Sequence, residues 1–280
     1  MRTQKITERK LKAYRKHLQE AEKSPLTIEK YMRDVRKFQA FAQAEPLTKA
    51  LCTAYKKHLA KEGYAPCSIN SMLASLNSLL SFLGLADCRV KQLKIQKQTY
   101  CGSDVLLTRQ EYLSLLKAAR GSQLHLIMQT MAGTGIRVSE LSAFTVEELK
   151  KGSIRISSKG KTRTVFVPTK LRRQLLDYAE ENRIRTGPVF LNSKGDAVSR
   201  STVWKQMKHL CKAAGVAASK VFPHNLRKLF ARTFYTMNHD MAKLADILGH
   251  YSMETTRIYI METGEEHRRK IEKMGLVVPC

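Results

Sequence analysis

Five short elements, spread through the back two thirds of a 280-residue chain, bring together residue types that can act on a phosphodiester. In order they are Gly135-Ile-Arg137-Val-Ser-Glu140-Leu, Lys159-Gly-Lys161, His224-Asn-Leu-Arg227, Leu248-Gly-His250 and Arg257-Ile-Tyr259. A phosphodiester attacked by an oxygen nucleophile gains charge on its non-bridging oxygens, and planar guanidinium forks match that geometry with paired hydrogen bonds. Arg137 and Arg227 suit that task. His224 and Arg227 stand three residues apart and share a helix face, while His250 closes a Leu-Gly-His turn nine residues before Tyr259. A phenol is protonated at neutral pH, so a tyrosine nucleophile needs a neighbour that draws off its proton or stabilises its oxyanion. A departing oxygen needs a proton in turn, which a lysine on a mobile hairpin tip can deliver.

These side chains need elements to hold them. Thr108-Arg-Gln-Glu111 reads as a capping box that opens a helix, and a second helix over His125–Ala132 stops at the Gly133-Thr-Gly135 turn, just before Arg137. Ser153–Ser158 and Thr164–Val167 alternate as two strands, with 159–163 as a hairpin tip that points its cations outward. Helices follow over Leu171–Arg183, Ser201–Ala214, Leu226–Thr236 and Met241–Leu248, then a short one through Tyr259 and a tail from Glu265 to Leu276. Ile271, Met274 and Leu276 give that tail an apolar side, which can fold back on its own domain or dock on a neighbouring copy.

The front third carries no strand pattern. Thr7–Ala21 reads as a basic helix, and Ser24–Ala44 as an amphipathic one, with Ile28, Tyr31, Val35, Phe38 and Ala42 on one face and Lys30, Arg33, Arg36 and Lys37 between them. Two further helices, over Thr48–Glu62 and from Ile69 to Leu83, end at Gly63 and Gly84. The expected fold is therefore mainly α with a small β-sheet: a helical bundle over 1–93, a linker over 94–104 and a mixed α/β domain over 105–280 that ends in the tail helix.

Composition points to the partner. Fifty Lys and Arg against 24 Asp and Glu leave a net charge of +26, a self-repulsion that a polyanion relieves, so nucleic acid is the expected partner and binding should weaken with salt. A merely basic surface or an anionic membrane fits less well, because no apolar helix concentrates its cations on one face. No stretch is apolar enough to span a bilayer and the start is no secretory signal, so a cytoplasmic location is expected. The six cysteines show no metal-ligand spacing and are expected to be reduced, and neither metal nor other cofactor is called for.

The five elements in this order resemble the tyrosine recombinase, or phage integrase, family, with a layout like that of its Xer-type members. The likeness covers nearly the whole chain, including the Ser-Pro-Leu-Thr…Tyr31…Phe38 segment, which looks like the SAM-like core-binding domain of the family. It implies site-specific cutting and rejoining of duplex DNA through a 3′-phosphotyrosine link at Tyr259, which alone among Tyr178, Tyr235, Tyr251 and Tyr259 has the Arg-x-Tyr context; Tyr251 is the backup. It further implies that Arg137 and Arg227 clamp the phosphate, His224 accepts the tyrosine proton, His250 donates a hydrogen bond to the phosphate, and Lys159 protonates the leaving oxygen, with Lys161 as runner-up.

Glu140 suits a supporting role, holding the Arg137 segment by hydrogen bonds. Arg33, Arg36, Lys37, Lys161, Arg163 and Arg257 are candidate DNA contacts. The implied partners are double-stranded DNA with a specific core site and three further copies of the chain in a tetrameric synapse, with an accessory DNA-bending or excision factor as an additional partner. The helical domain is expected on one face of DNA and the catalytic domain on the other, with no arm-type DNA site. The high charge favours integration or excision of a mobile element. Resolution of chromosome or plasmid dimers is the alternative, ahead of a type IB topoisomerase and of a DNA-binding relative that no longer cuts.

Overall fold

Hydroxyl caps set most helix starts. In the computed structural model, which describes residues 4–96, 100, 102, 104–158 and 161–276, the described chain falls into two compact units, Met1–Lys97 and Gln98–Cys280. The first unit is all helical: α1 (Glu8–Glu20), α2 (Pro25–Ala42), α3 (Lys49–Lys61) and α4 (Pro66–Phe82). The side chains of Thr7, Ser24 and Thr48 accept hydrogen bonds from free amides of the first turns of α1, α2 and α3, and Pro25 and Pro66 preset the starts of α2 and α4. Phe38 and Tyr55 meet edge to face with centroids 4.9 Å apart, over Leu73 and Leu76.

One cation of the α2 pattern turns inward. Lys30 donates to Asp34 at 2.8 Å, to Ser75 Oγ at 2.9 Å and to the Ser71 carbonyl at 2.6 Å, while Ser75 Oγ donates to Asp34 at 3.0 Å. Asp34 and Ser75 are buried, so this cluster ties α2 to α4 and removes Lys30 from the basic surface that the spacing suggested.

The second unit contains α5 (Arg109–Ala118), opened by the Thr108/Glu111 capping box, and α6 (Gln123–Thr134). A 3-10 turn over Val138–Ala143 and the short α7 (Val146–Lys151) lead into β1 (Ser153–Ser158) and β2 (Lys161–Phe166). The two strands pair antiparallel from Ser153↔Phe166 to Ser158↔Lys161. Beyond them come α8 (Thr169–Glu181), α9 (Arg200–Ala214), α10 (Pro223–Asn238), α11 (Met241–Leu248), α12 (Met253–Tyr259) and α13 (Gly264–Glu272). The chain is thus mainly helical with a two-stranded sheet.

Three departures from the expected elements bear on the site. The second strand begins at Lys161 rather than Thr164, so Arg163 lies in the ladder opposite Ile156 and not at the tip. The helix expected from Leu226 starts at Pro223, whose fixed φ suits a first helical position and whose missing N–H costs nothing there, so His224 sits in its first turn. The 3-10 turn and α7 have too few residues for periodicity to reveal. In the tail, Ile271, Met274 and Leu276 are all exposed, and α13 stops at Glu272, ahead of the latter two.

Candidate active site

Arg137 leaves α6 through Gly135, whose φ of +68° lies in the left-handed region and where an added Cβ would come within 2.4 Å of the Phe230 ring. Three residues on, Glu140 folds back as in a capping box: the Arg137 amide donates to Oε2 at 2.8 Å and Nη1 to Oε1 at 3.0 Å. Glu140, expected to hold the Arg137 segment, accepts these two hydrogen bonds from it. The carboxylate is buried, which alone would raise its pKa, yet the Arg163 side chain and the Arg137 amide and side chain more than reverse this and hold it below the usual range.

Arg227 comes from α10 and is wholly buried. Its Nη1 donates to the Gly135 carbonyl and its Nη2 to the Leu248 carbonyl, both at 2.6 Å, and Nη2 also donates to His250 Nε2 at 3.0 Å, while its Nε is buried without a partner. Burial, then repulsion from Arg137, lowers this guanidinium to about 10, which leaves it cationic at neutral pH. It therefore binds the Gly135 turn and the end of α11 to one another. In this arrangement its side chain has no exposed surface, and the ring of Tyr259, itself only 7% exposed, lies 5.6 Å from the guanidinium carbon.

His250 follows Gly249 at the end of α11. Because a guanidinium can only donate, His250 Nε2 must be the acceptor, so Nδ1 carries the proton and donates to Thr256 Oγ1 at 2.9 Å. The hydrogen bond from His250 to phosphate that the resemblance implied is therefore blocked until the ring gains a second proton or parts from Arg227. The ring of Tyr259 at the end of α12 stands 4.7 Å from the His250 centroid and 5.0 Å from that of His224. Enclosure by the protein, followed by the Arg227 and Arg137 cations, lowers His250 to about 4. His224 keeps one side open to solvent, but the protein around its other side, together with Lys228, Arg227 and Arg137, lowers it to about 4 as well. Both imidazoles are neutral at pH 7, a state in which His224 can accept a proton.

Arg137, Glu140, His224, Arg227, His250 and Tyr259 thus converge within one unit. Lys159 lies outside the described residues, and of Lys161 only the backbone, at the first position of β2, is described. Arg163, expected to face DNA, has both its terminal nitrogens held by Glu140 and only 13% of its side chain exposed. Arg257 is exposed on α12, as are Arg33 and Arg36 on α2, while Lys37 is half-buried with its ammonium 4.2 Å above the Tyr64 ring. Among the other tyrosines, Tyr251 is exposed, and Tyr178 accepts a hydrogen bond from Gln123 at 3.0 Å, away from this cluster.

Sequence reasoning missed Thr256, which has no spacing signature, and the wall of a cavity of about 280 Å³ beside Arg137 and His224. Arg200 and Trp204 of α9 and Ser139 line that cavity, and Trp204, exposed in a basic helix and the only tryptophan, was a signal that could have been read. Among the described residues no group of three or more His, Cys, Asp or Glu could hold a metal ion, and no helix is long and apolar enough to cross a membrane.

Residues 106–266 match the phage integrase family and residues 11–86 match the phage integrase N-terminal SAM-like domain. Tyrosine recombinase XerA of Pyrococcus furiosus is 28% identical over 99% of this chain and 98% of its own, and XerA of Thermococcus kodakarensis is 30% identical over 91% of each. In fold, a lambda integrase tetramer bound to a Holliday junction matches with a TM-score of 0.76 at 20% identity over 94% of this chain and 79% of that one. A crystal structure of XerA recombinase matches with a TM-score of 0.55 at 24% identity over 98% and 100%. With a family match across more than half its length and relatives alike from end to end, this chain belongs to the phage integrase family, the tyrosine recombinases, enzymes of site-specific DNA recombination that cleave and rejoin DNA strands.

Proposed function

We propose that Tyr259 is the nucleophile, attacking a DNA phosphate to leave a 3′-phosphotyrosine bond and a free 5′-hydroxyl. The observation that carries this reading is the position of its ring between His224, His250 and Arg227 of the same chain. His224, neutral at pH 7, takes the phenolic proton. Arg137 meets the phosphate first, since it keeps an open side, and Arg227 joins it once α12 carries the tyrosine ring aside. A phosphate anion favours the imidazolium, so its arrival lets His250 turn from acceptor to donor while Thr256 keeps the ring oriented. Lys159 protonates the leaving 5′ oxygen. The phosphotyrosine bond retains the energy of the broken phosphodiester, so rejoining calls on neither metal nor nucleotide.

The substrate is double-stranded DNA with a specific core site, bound in the cytoplasm by four protomers together, with an accessory factor to bend DNA or favour excision. The lambda integrase neighbour, captured as a tetramer on a Holliday junction, supports the assembly. For biological use we favour integration or excision of a mobile element, which the charge of +26 supports. End-to-end likeness to XerA recombinases favours a second reading, resolution of chromosome or plasmid dimers.

A nicked suicide substrate tests the chemistry. Wild type should form a covalent adduct, and Tyr259→Phe should bind the same DNA and form none. An adduct from that variant at the wild-type rate would overturn the assignment. Sequencing the DNA attached to wild-type protein trapped in cells separates the two uses, since element junctions support the first and a chromosomal or plasmid resolution site the second. Efficient relaxation of plasmid lacking a core site, without recombinants, would instead indicate a topoisomerase.

A further inference from the structure

Among the described side chains of the β1–β2 ribbon, Arg163 is a cation that turns inward. Side chains alternate along a strand, so Arg163 shares the face of Val165, which is buried, and its partner in the ladder is the buried Ile156. There Nη1 and Nη2 donate to the two oxygens of Glu140 at 3.0 and 2.7 Å, while Nε donates to the Ile247 carbonyl at 3.1 Å. Glu140 in turn holds Arg137, and Ile247 lies three residues before His250. Every nitrogen of this guanidinium therefore bonds to protein, and only 13% of the side chain is exposed.

The neighbouring backbone leaves room for it. At Gly249, φ +63°, an added Cβ would come within 2.9 Å of Arg163 Cδ and 3.2 Å of Nη1. The glycine of Leu248-Gly-His250 thus serves both the left-handed turn and the passage of Arg163.

We infer that Arg163 is a positioning residue that fixes the β1–β2 hairpin, the Arg137 segment and the His250 turn relative to one another through Glu140, and that it makes no contact with DNA. The inference rests on the proposed roles of Arg137 and His250. A forked guanidinium bonded to both carboxylate oxygens holds direction as well as distance, which an ammonium cannot reproduce. Without it the two segments relax independently, and sub-ångström errors at a reacting phosphate reduce rate far more than affinity.

The test compares Arg163→Ala, Arg163→Lys and Gly249→Ala with wild type and with Arg137→Ala, at a temperature below the melting point of each. Two quantities are measured: the affinity for core-site DNA across a salt series and the single-turnover rate of adduct formation on a suicide substrate. Arg163→Ala should slow adduct formation on the order of 100-fold, while the slope of log affinity against log salt stays unchanged. Gly249→Ala should show the same pattern with Arg163 still present, and Arg163→Lys should not restore the rate. A salt slope shallower by about one unit in Arg163→Ala, or a rate within about threefold of wild type, would overturn the inference. Loss of cleavage in Arg137→Ala beside wild-type rates in the other three would sink the inference alone, whereas full cleavage by Arg137→Ala would sink the underlying assignment of the site.

Discussion

The basic face of α2 and the basic cluster around Tyr259 use the same side chain to opposite ends. On α2 the Arg33 side chain is 75% exposed and its ion pair with Asp34 is a loose 3.5 Å, whereas around Tyr259 the exposure falls from 36% at Arg137 through 13% at Arg163 to 0% at Arg227. A solvated guanidinium is free to release counterions from DNA and contributes affinity that salt can screen. A desolvated one must be satisfied by the protein at once, and in being satisfied it fixes the geometry of whatever bonds it. Charge on the first surface is a quantity; in the second site its value lies in direction.

The comparison can be broken most sharply at Glu140. Its removal leaves Arg137, Arg163 and Arg227 crowded without a counter-charge, so Glu140→Ala should cost about 3–5 kcal/mol of folding stability, measured by urea denaturation. A loss under about 1 kcal/mol would show that the cluster is no better held than a surface pair.

Next in size is the exposed face. Substituting Arg33 and Arg36 together by Ala should lower the magnitude of the salt slope of DNA binding by about 0.9 for each phosphate that is no longer neutralised, with the melting temperature unchanged. An unchanged slope would remove these residues from the DNA-binding surface. No such change of slope is expected from Arg163→Ala, and that contrast is the most direct check on the difference between the solvated and the desolvated cations.

The smallest effect is a pH dependence of the free protein. His224 and His250 are lowered to about 4 from an ordinary 6.5, so between these values the unfolded chain binds more protons than the folded one. Stability should therefore rise with pH from about 4 to about 6.5 and level off above it. His224→Gln should flatten part of that rise in melting temperature, and a rise of undiminished steepness in that variant would assign the titration to other groups.

The sequence by itself determined the order of the reactive elements and most local structure. The cap at Ser24 with Pro25, the Thr108/Glu111 box and the span Met241–Leu248 all follow from chemistry within a few residues of each other. The convergence of Arg137, His224, Arg227, His250 and Tyr259 was legible too, but only as a pattern of motifs in order. The inward turn of Arg163 was nearly legible, since Val165 two positions on is apolar, and was hidden by starting the strand three residues late.

What only the tertiary structure decided is which group each cation meets. Arg163 finds the Ile247 carbonyl 84 residues away, and Arg227 finds the Gly135 carbonyl 92 residues away, beneath a tyrosine from another helix. Periodicity and capping report which face of its own element a residue occupies. The partner across the gap depends on how separate elements pack, and in a desolvated site the demand for bonded N–H groups, met at every guanidinium nitrogen of Arg163 and at both terminal nitrogens of Arg227, selects one arrangement from the many that the local pattern allows.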